Sequence, residues 1–363
     1  MNILLLTYQG DIAGSTNSIT YLATGLEKKG HKVYVGCRKE SLLYHLLEGS
    51  EVNLLPMTFN SRFDFRNARH IAGVVRKYDI DIVNAQSSYD RYTSVLAKYV
   101  FGAKAKVIHT RRQVSRSMGG FFQNLFYYRG TDSIVAVSEG VRKSLIAGHI
   151  PARHIKVIYN GTPRVKYDNV DSADIESLKS KLNIQSGDFV IGCVSRIKNQ
   201  LQIVKALKYI PVKSKVIFVG IDSQENFIKY ISDNQLYHDL YFAGIVSGDE
   251  VLNYYALFDV KVLASTQEGL SQAILESMAL GTPVIATNYS GNPELIEDGY
   301  NGLLFKDGDT KELAEKILIL KDDKPLREKI IEHGKETAFV DFSIEKTVEK
   351  YDSFFRELLK RTG

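Results

Sequence analysis

The sequence predicts an α/β protein built from two parallel-sheet domains. Short apolar runs alternate with amphipathic helical stretches through both halves, the pattern of repeated strand–helix–strand units. The 363 residues, 44% hydrophobic and 25% charged, are enough to fill two separate cores. A polar stretch from about Thr162 to Gly187, entered through the turn dipeptide Asn160-Gly161, divides the two sets of strands.

In the first half the strand runs are Ile3–Leu6, Val33–Cys37, Ile82–Ala85, Val107–Thr110, Ser133–Val137 and Val157–Tyr159. After the first of them, Ile19, Leu22, Ala23 and Leu26 fall on one helical face, and Gly30 stops that helix. In the second half the runs are Val190–Val194, Val216–Val219, Leu240–Ala243, Val260–Ala264, Val284–Thr287 and Leu303–Phe305. These elements place a first domain over residues 1–163 and a second over 164–341. The helical pattern of 342–363 is expected to cross back onto the first domain.

Composition narrows the function. Cys37 and Cys193 are the only cysteines and lie far apart within apolar runs, so neither a disulfide framework nor a metal knot is expected. The amino terminus reads as a first strand and not as a signal peptide, and no run approaches the ~20 apolar residues of a spanning helix. A cytoplasmic protein is expected, peripheral on the inner face of the membrane if it meets lipid. Residues 1–163 hold 22 Lys/Arg against 11 Asp/Glu, a balance of +11, whereas 164–363 hold 25 against 31, a balance of −6. The basic half therefore points to an anionic partner or surface. No nucleic-acid partner is expected.

The most informative run is Ser265-Thr-Gln-Glu-Gly-Leu-Ser-Gln-Ala-Ile-Leu-Glu-Ser-Met-Ala-Leu-Gly-Thr-Pro-Val-Ile-Ala286, with Glu268 and Glu276 eight residues apart. It spells strand, loop, helix amino terminus, which in a parallel sheet is where phosphorylated ligands settle. Loop N–H groups and the helix dipole favour an anion, and a carboxylate one turn further on can accept hydrogen bonds from a ribose diol.

Six ordered blocks carry a family resemblance. They are Val-Ser-Glu-Gly-Val (137–141), Val-Ile-Tyr-Asn-Gly (157–161), Ser-Arg-Ile-Lys-Asn-Gln (195–200), Phe-Ala-Gly-Ile-Val (242–246), the paired-glutamate run, and residues 291–305 from Gly-Asn-Pro-Glu to Gly-Leu-Leu-Phe. The chain resembles glycosyltransferase family 4, whose members are retaining enzymes of GT-B fold using nucleotide-sugar donors. That resemblance implies two Rossmann-like domains facing across a cleft. It implies that Arg196 and Lys198 hold the donor diphosphate and stabilise the departing nucleotide. The interval between them is shorter than the family's usual one. Asn199-Gln200 matches what commonly follows the lysine, so Lys198 is read as the equivalent in a trimmed loop.

By the same resemblance Glu276 binds the ribose hydroxyls and Glu268 lies against the donor sugar. The amides of Gly269, Leu270, Ser271 and Gln272 approach sugar and phosphate. Gly14 and Ser15, in the loop from the first strand to the first helix, allow close approach to a phosphate. His109 touches the donor sugar at the cleft edge. Gln86 stands where relatives often carry histidine. Asp79-Ile-Asp81 spells a metal-binding Asp-x-Asp but only introduces the strand Ile82–Ala85, so no metal and no cofactor are expected.

The expected activity is transfer of a sugar from a nucleoside diphosphate sugar, UDP-linked, to a glycan or lipid-linked acceptor of bacterial surface polysaccharide or lipopolysaccharide. Two alternatives stand beside it: another GT-B enzyme, an epimerase or sugar-phosphate synthase, and a catalytically silent nucleotide-sugar-binding membrane adaptor. Met118, Phe121, Phe122, Leu125 and Phe126 recur at helical spacing, flanked by Arg111, Arg112, Arg116 and Arg129. Such a stripe is expected either to pack on the sheet or to dip into an anionic membrane surface.

Overall fold

A computed structural model describes residues 1–11, 14–113, 120–246, 248 and 250–361. The chain divides into two compact units, Met1–Gly161 with Ser343–Gly363, and Thr162–Phe342. The first holds a seven-stranded sheet of β1 (Asn2–Leu6), β2 (Lys32–Cys37), β3 (Asn53–Pro56), β4 (Ile82–Ala85), β5 (Lys106–Arg111), β6 (Ser133–Ala136) and β7 (Ile155–Val157). Its order is β3-β2-β1-β4-β5-β6-β7, and every pairing is parallel.

The second unit holds β8 (Phe189–Val194), β9 (Ser214–Val219), β10 (Asp239–Phe242), β11 (Val260–Leu263), β12 (Val284–Thr287) and β13 (Leu303–Phe305). They run in the order β10-β9-β8-β11-β12-β13, again all parallel. Strand order therefore reverses at β1/β4 in one sheet and at β8/β11 in the other. Those crevices, at the carboxyl ends of the strands, are the ligand-binding positions of doubly wound sheets.

Alternation along each strand splits each unit's core between two faces. In the first unit Ile3 and Leu5 pack with Leu22, Ala23 and Leu26 of the first helix and with Tyr351, Phe354 and Phe355 of the last. Leu4 and Leu6 pack on the opposite face with Ile71, Ala72 and Val75. The last helix, Ile344–Lys360, is capped by Ser343, whose side chain accepts from the Lys346 N–H. Thr347 Oγ1 donates to the Tyr159 carbonyl at 2.9 Å and accepts from the Gly161 N–H at 2.8 Å, fixing that helix to the end of the unit's first segment.

In the second unit Ile191, Val216, Val260 and Val262 face one core. Val190, Ile217 and Val219 face Tyr254, Tyr255 and Phe258. Gly192 permits that second packing, because a Cβ there would meet the Phe258 ring at 2.0 Å. Burial pushes the thiols of Cys37 and Cys193 up to about 11, leaving both as inert core residues.

Three local features were not settled by the sequence reading. Strand β3 escapes periodicity because it is a short, half-exposed edge strand ending in proline. The polar stretch after Thr162 is not bare linker: it forms a short helical turn, Arg164–Tyr167, and the helix Ser172–Lys181. The aromatic stripe is split: Phe126 is half-buried and stacks on the Tyr92 ring at 5.0 Å, while its other described members face outward. The helix Phe121–Gly130 buries Asn124, Tyr127 and Gly130 and leaves Phe121, Phe122 and Leu125 exposed at 63%, 83% and 39%. Its inward face is set by Tyr127, edge-on to His109 at 5.3 Å, and by Gly130, where a Cβ would meet Val95 at 2.7 Å. Met118 and Arg116 lie outside the described residues.

Candidate functional site

In the second unit the paired-glutamate run leaves the carboxyl end of β11 and turns into the helix Gln272–Ala279. Its loop is clamped from β12. Thr287 Oγ1 donates to the Ser265 carbonyl at 2.5 Å, Asn292 Nδ2 donates to the same carbonyl at 3.3 Å, and Ser290 Oγ donates to the Glu268 carbonyl. Gly291 must be glycine at this clamp, since a Cβ would lie 1.9 Å from the Gly269 carbonyl oxygen. Gly269, Leu270 and Ser271 are buried, Gln272 is half-buried, and Ser271 sits at the helix N-cap. The loop is a rigid shelf in front of a positive helix end.

Two lysines occupy the two carboxylates. Lys198 Nζ, in the turn after β8, pairs with Glu268, and Lys166 Nζ, from the short turn Arg164–Tyr167, pairs with Glu276. The Lys166–Glu276 pair is the more buried, at 9% and 12% side-chain exposure. The turn carrying Lys198 is held by Gln200. Its Oε1 accepts from the Lys198 N–H at 2.5 Å, and its Nε2 donates to Ser195 Oγ at 2.8 Å and the Arg196 carbonyl at 2.6 Å. Arg196 is exposed beside it. The structure thus brings Lys198, Glu268, Gly269, Leu270, Ser271, Gln272 and Glu276 to one sheet edge at the β8/β11 reversal, with Arg196 on its rim.

The remaining predicted residues belong to the first unit. Gly14 begins the first helix and is exposed, and Ser15 is half-buried. His109, in β5, is fully buried, and neither ring nitrogen has a hydrogen-bond partner. Burial, then the charges of Arg91 and Arg111, hold its pKa well below the ordinary range, so the imidazole is neutral. Asp81 has a structural task, its carboxylate accepting from the Asn2 N–H at 2.8 Å. Among the described residues, no group of three His, Cys, Asp or Glu side chains is arranged to hold a metal ion.

Two parallel sheets, each with a strand-order reversal, define a doubly wound α/β protein, and comparison with known proteins gives its family. Residues 12–164 match the family described as Glycosyltransferase Family 4, and residues 174–337 match Glycosyl transferases group 1. The chain is 30% identical over 240 residues to the lipopolysaccharide core biosynthesis glycosyltransferase LpsE of Rhizobium meliloti, covering 66% of this chain and 68% of the relative. It superposes on a glycosyltransferase from Rickettsia africae with a TM-score of 0.86 at 25% identity over 99% of each chain. It also superposes on Anabaena HepE in complex with UDP and glucose, with a TM-score of 0.84 at 21% identity over 98% of this chain and 100% of the other. The chain belongs to the group 1 glycosyltransferases of family 4, with the GT-B fold, and is a transferase enzyme.

The sequence reading missed two residues of the shelf. Lys166 sits in the polar stretch and carries no local signal. Lys261 does carry one, as a lysine inside the strand Val260-Lys-Val-Leu. It is fully buried, its Nζ has no hydrogen-bond partner, and it lies over the Tyr255 ring at 5.8 Å. Burial pushes its pKa down to about 8, against the opposing pull of Cys193, Glu276 and Glu268.

A lysine pKa depressed on folding means that the unfolded chain binds more protons between about pH 8 and its ordinary pKa, about 10.4. Stability rises with pH through that window. Lys261→Met should remove this rise and equal or exceed wild-type stability at pH 7, the difference shrinking toward pH 10. Urea unfolding of both proteins at pH 7 and 9.5 measures it; a wild-type advantage at pH 7 would show that the ammonium is stabilising.

Proposed function

We propose that the protein transfers a sugar from a UDP-sugar to a glycan or lipid-linked acceptor of bacterial surface polysaccharide or lipopolysaccharide, with retention of anomeric configuration. One observation carries the reading: Lys198–Glu268 and Lys166–Glu276 frame the amino terminus of helix Gln272–Ala279 at the β8/β11 reversal. A diphosphate suits the helix end and the Arg196 and Lys198 cations, and a ribose diol suits Glu276. Support comes from HepE, a protein of the same fold in complex with UDP and glucose.

In the reaction the bond from the sugar's anomeric carbon to the β-phosphate oxygen breaks. The acceptor hydroxyl bonds to that carbon from the same face and passes its proton to the departing phosphate. Negative charge grows on the β-phosphate, and Arg196 and Lys198 are aimed at that growing charge. Before the donor binds, Glu268 holds Lys198 in the site, so the diphosphate exchanges one anionic partner for another. Glu268 then faces the sugar carbon as it becomes cationic. The cations meet the phosphate charge, and we propose that turnover needs no metal.

Lys198→Ala should lower turnover about ten- to over a hundredfold, since charge-assisted hydrogen bonds are worth roughly 1.5–3 kcal/mol. Glu276→Ala should bind UDP more weakly and lose the wild-type preference for UDP over 2′-deoxy-UDP. Calorimetric titration with the two nucleotides decides it, equal affinity in variant and wild type excluding the ribose contact.

Proton NMR of fresh product from a panel of UDP-sugars should show the donor's anomeric configuration, and activity should survive chelator. An inverted linkage would overturn the mechanism.

The exposed Phe121, Phe122 and Leu125, with Arg129 on the same helix, suit the headgroup boundary of an anionic leaflet. Liposomes rich in anionic lipid should co-sediment the protein at low salt and release it at high salt. Failure to pellet under every condition would point to a soluble acceptor.

A further inference from the structure

A column of polar side chains climbs the first unit's sheet to its carboxyl edge on the face covered by the last helix. Thr110 Oγ1 donates to Asn84 Oδ1 at 2.8 Å and lies 3.4 Å from the Tyr351 hydroxyl. One step higher, Arg112 Nη2 donates to Gln86 Oε1 at 2.9 Å. Gln86 follows β4, and its N–H donates to the Leu6 carbonyl at the end of β1, so the column tops out at the β1/β4 reversal.

Buried atoms without partners in this column are Asn84 Nδ2, Gln86 Nε2, Arg112 Nε and Arg112 Nη1. All four are donors. Each amide oxygen is already engaged, so what the column lacks is an acceptor.

The missing acceptor must also carry charge. A guanidinium stays protonated in a protein, and a buried cation without a counter-ion is costly. No carboxylate among the described residues pairs with Arg112, and the sequence from Gln113 to Gly120 contains no acidic residue. Its charge acts on the neighbouring Tyr351 phenol, which is neutral and supplies no counter-charge. Water could satisfy the hydrogen bonds but not the charge.

We propose that Arg112 and Gln86, with Asn84 beneath them, form an oxyanion-binding subsite for a phosphate or carboxylate group of the acceptor substrate. The placement of that anion on the acceptor rests on the glycosyltransferase reading above; the anion site itself does not. It also gives the +11 balance of residues 1–163 a local purpose.

Because the proposed donor shelf would also take phosphate, the test is run with UDP saturating. Calorimetric titration with inorganic phosphate, and separately with acetate, should give saturable binding of one equivalent. The tighter of the two identifies a phosphoryl or a carboxylate ligand. Arg112→Gln should weaken it about ten- to a hundredfold while leaving UDP affinity unchanged.

Gln86→Glu supplies an internal counter-ion, so it should abolish anion binding and raise the melting temperature. That variant keeps the test decisive if Arg112→Gln folds poorly. Absence of saturable binding to wild type, or undiminished binding in Gln86→Glu, would overturn the subsite and leave a water-filled column. Failure of UDP itself to bind would count against the donor reading alone, and the phosphate titrations then proceed without it.

Discussion

Strand direction governs this protein. Both sheets are wholly parallel, so every strand delivers its carboxyl end to one edge of its sheet, and the return journeys within a sheet run through helices, except that β12 reaches β13 through a loop with the short turn Asn292–Glu294. Residues that follow strands thereby gather without being neighbours in sequence. Ser195 to Gln200 follow β8, and Glu268 follows β11, a strand that β8 touches directly. Had either strand run the other way, Lys198 and Glu268 would lie at opposite edges. The same constraint in the first unit sets Gln86, after β4, against Arg112, after β5.

Charge is handled differently in the two units. In the second, Glu268 and Glu276 of the shelf each already have a lysine, so those charges are met within the unit. In the first, two of the Arg112 nitrogens and both ring nitrogens of the neutral His109 lack partners. Their burial is costly unless something arrives to complete them, and that incompleteness is the usual mark of a binding surface rather than a core. Lys261 stands between these cases: it lacks a hydrogen bond but senses Glu276 and Glu268.

The helix Phe121–Gly130 shows why an apolar periodicity does not name its own partner. Spacing put Met118, Phe121, Phe122, Leu125 and Phe126 on a stripe, and a stripe normally faces the core. Here the inward positions go to Tyr127, which finds His109 and Tyr92, and to Gly130, which lets Val95 approach. Close packing on those two residues fixes the helix's rotation and turns Phe121 and Phe122 outward, while Phe126 stacks on Tyr92.

The sequence by itself determined the class of fold, twelve of the thirteen strands among the described residues and the strand–loop–helix run that carries Glu268 and Glu276, because strand–helix alternation and that run are local patterns. Strand β3 was invisible, since an edge strand of Asn-Leu-Leu-Pro buries too little to show a period. Only the tertiary structure decided who pairs with whom. Lys166 is 110 positions from Glu276, and Gln86 is 26 from Arg112. Those meetings depend on the order in which strands lie in a sheet, which no local run of residues encodes. Burial worked the same way. Arg112 looks like an ordinary polar residue along the chain, and although Lys261 and His109 stand out within apolar runs, only the layers packed around all three bury these groups and leave hydrogen bonds unmet.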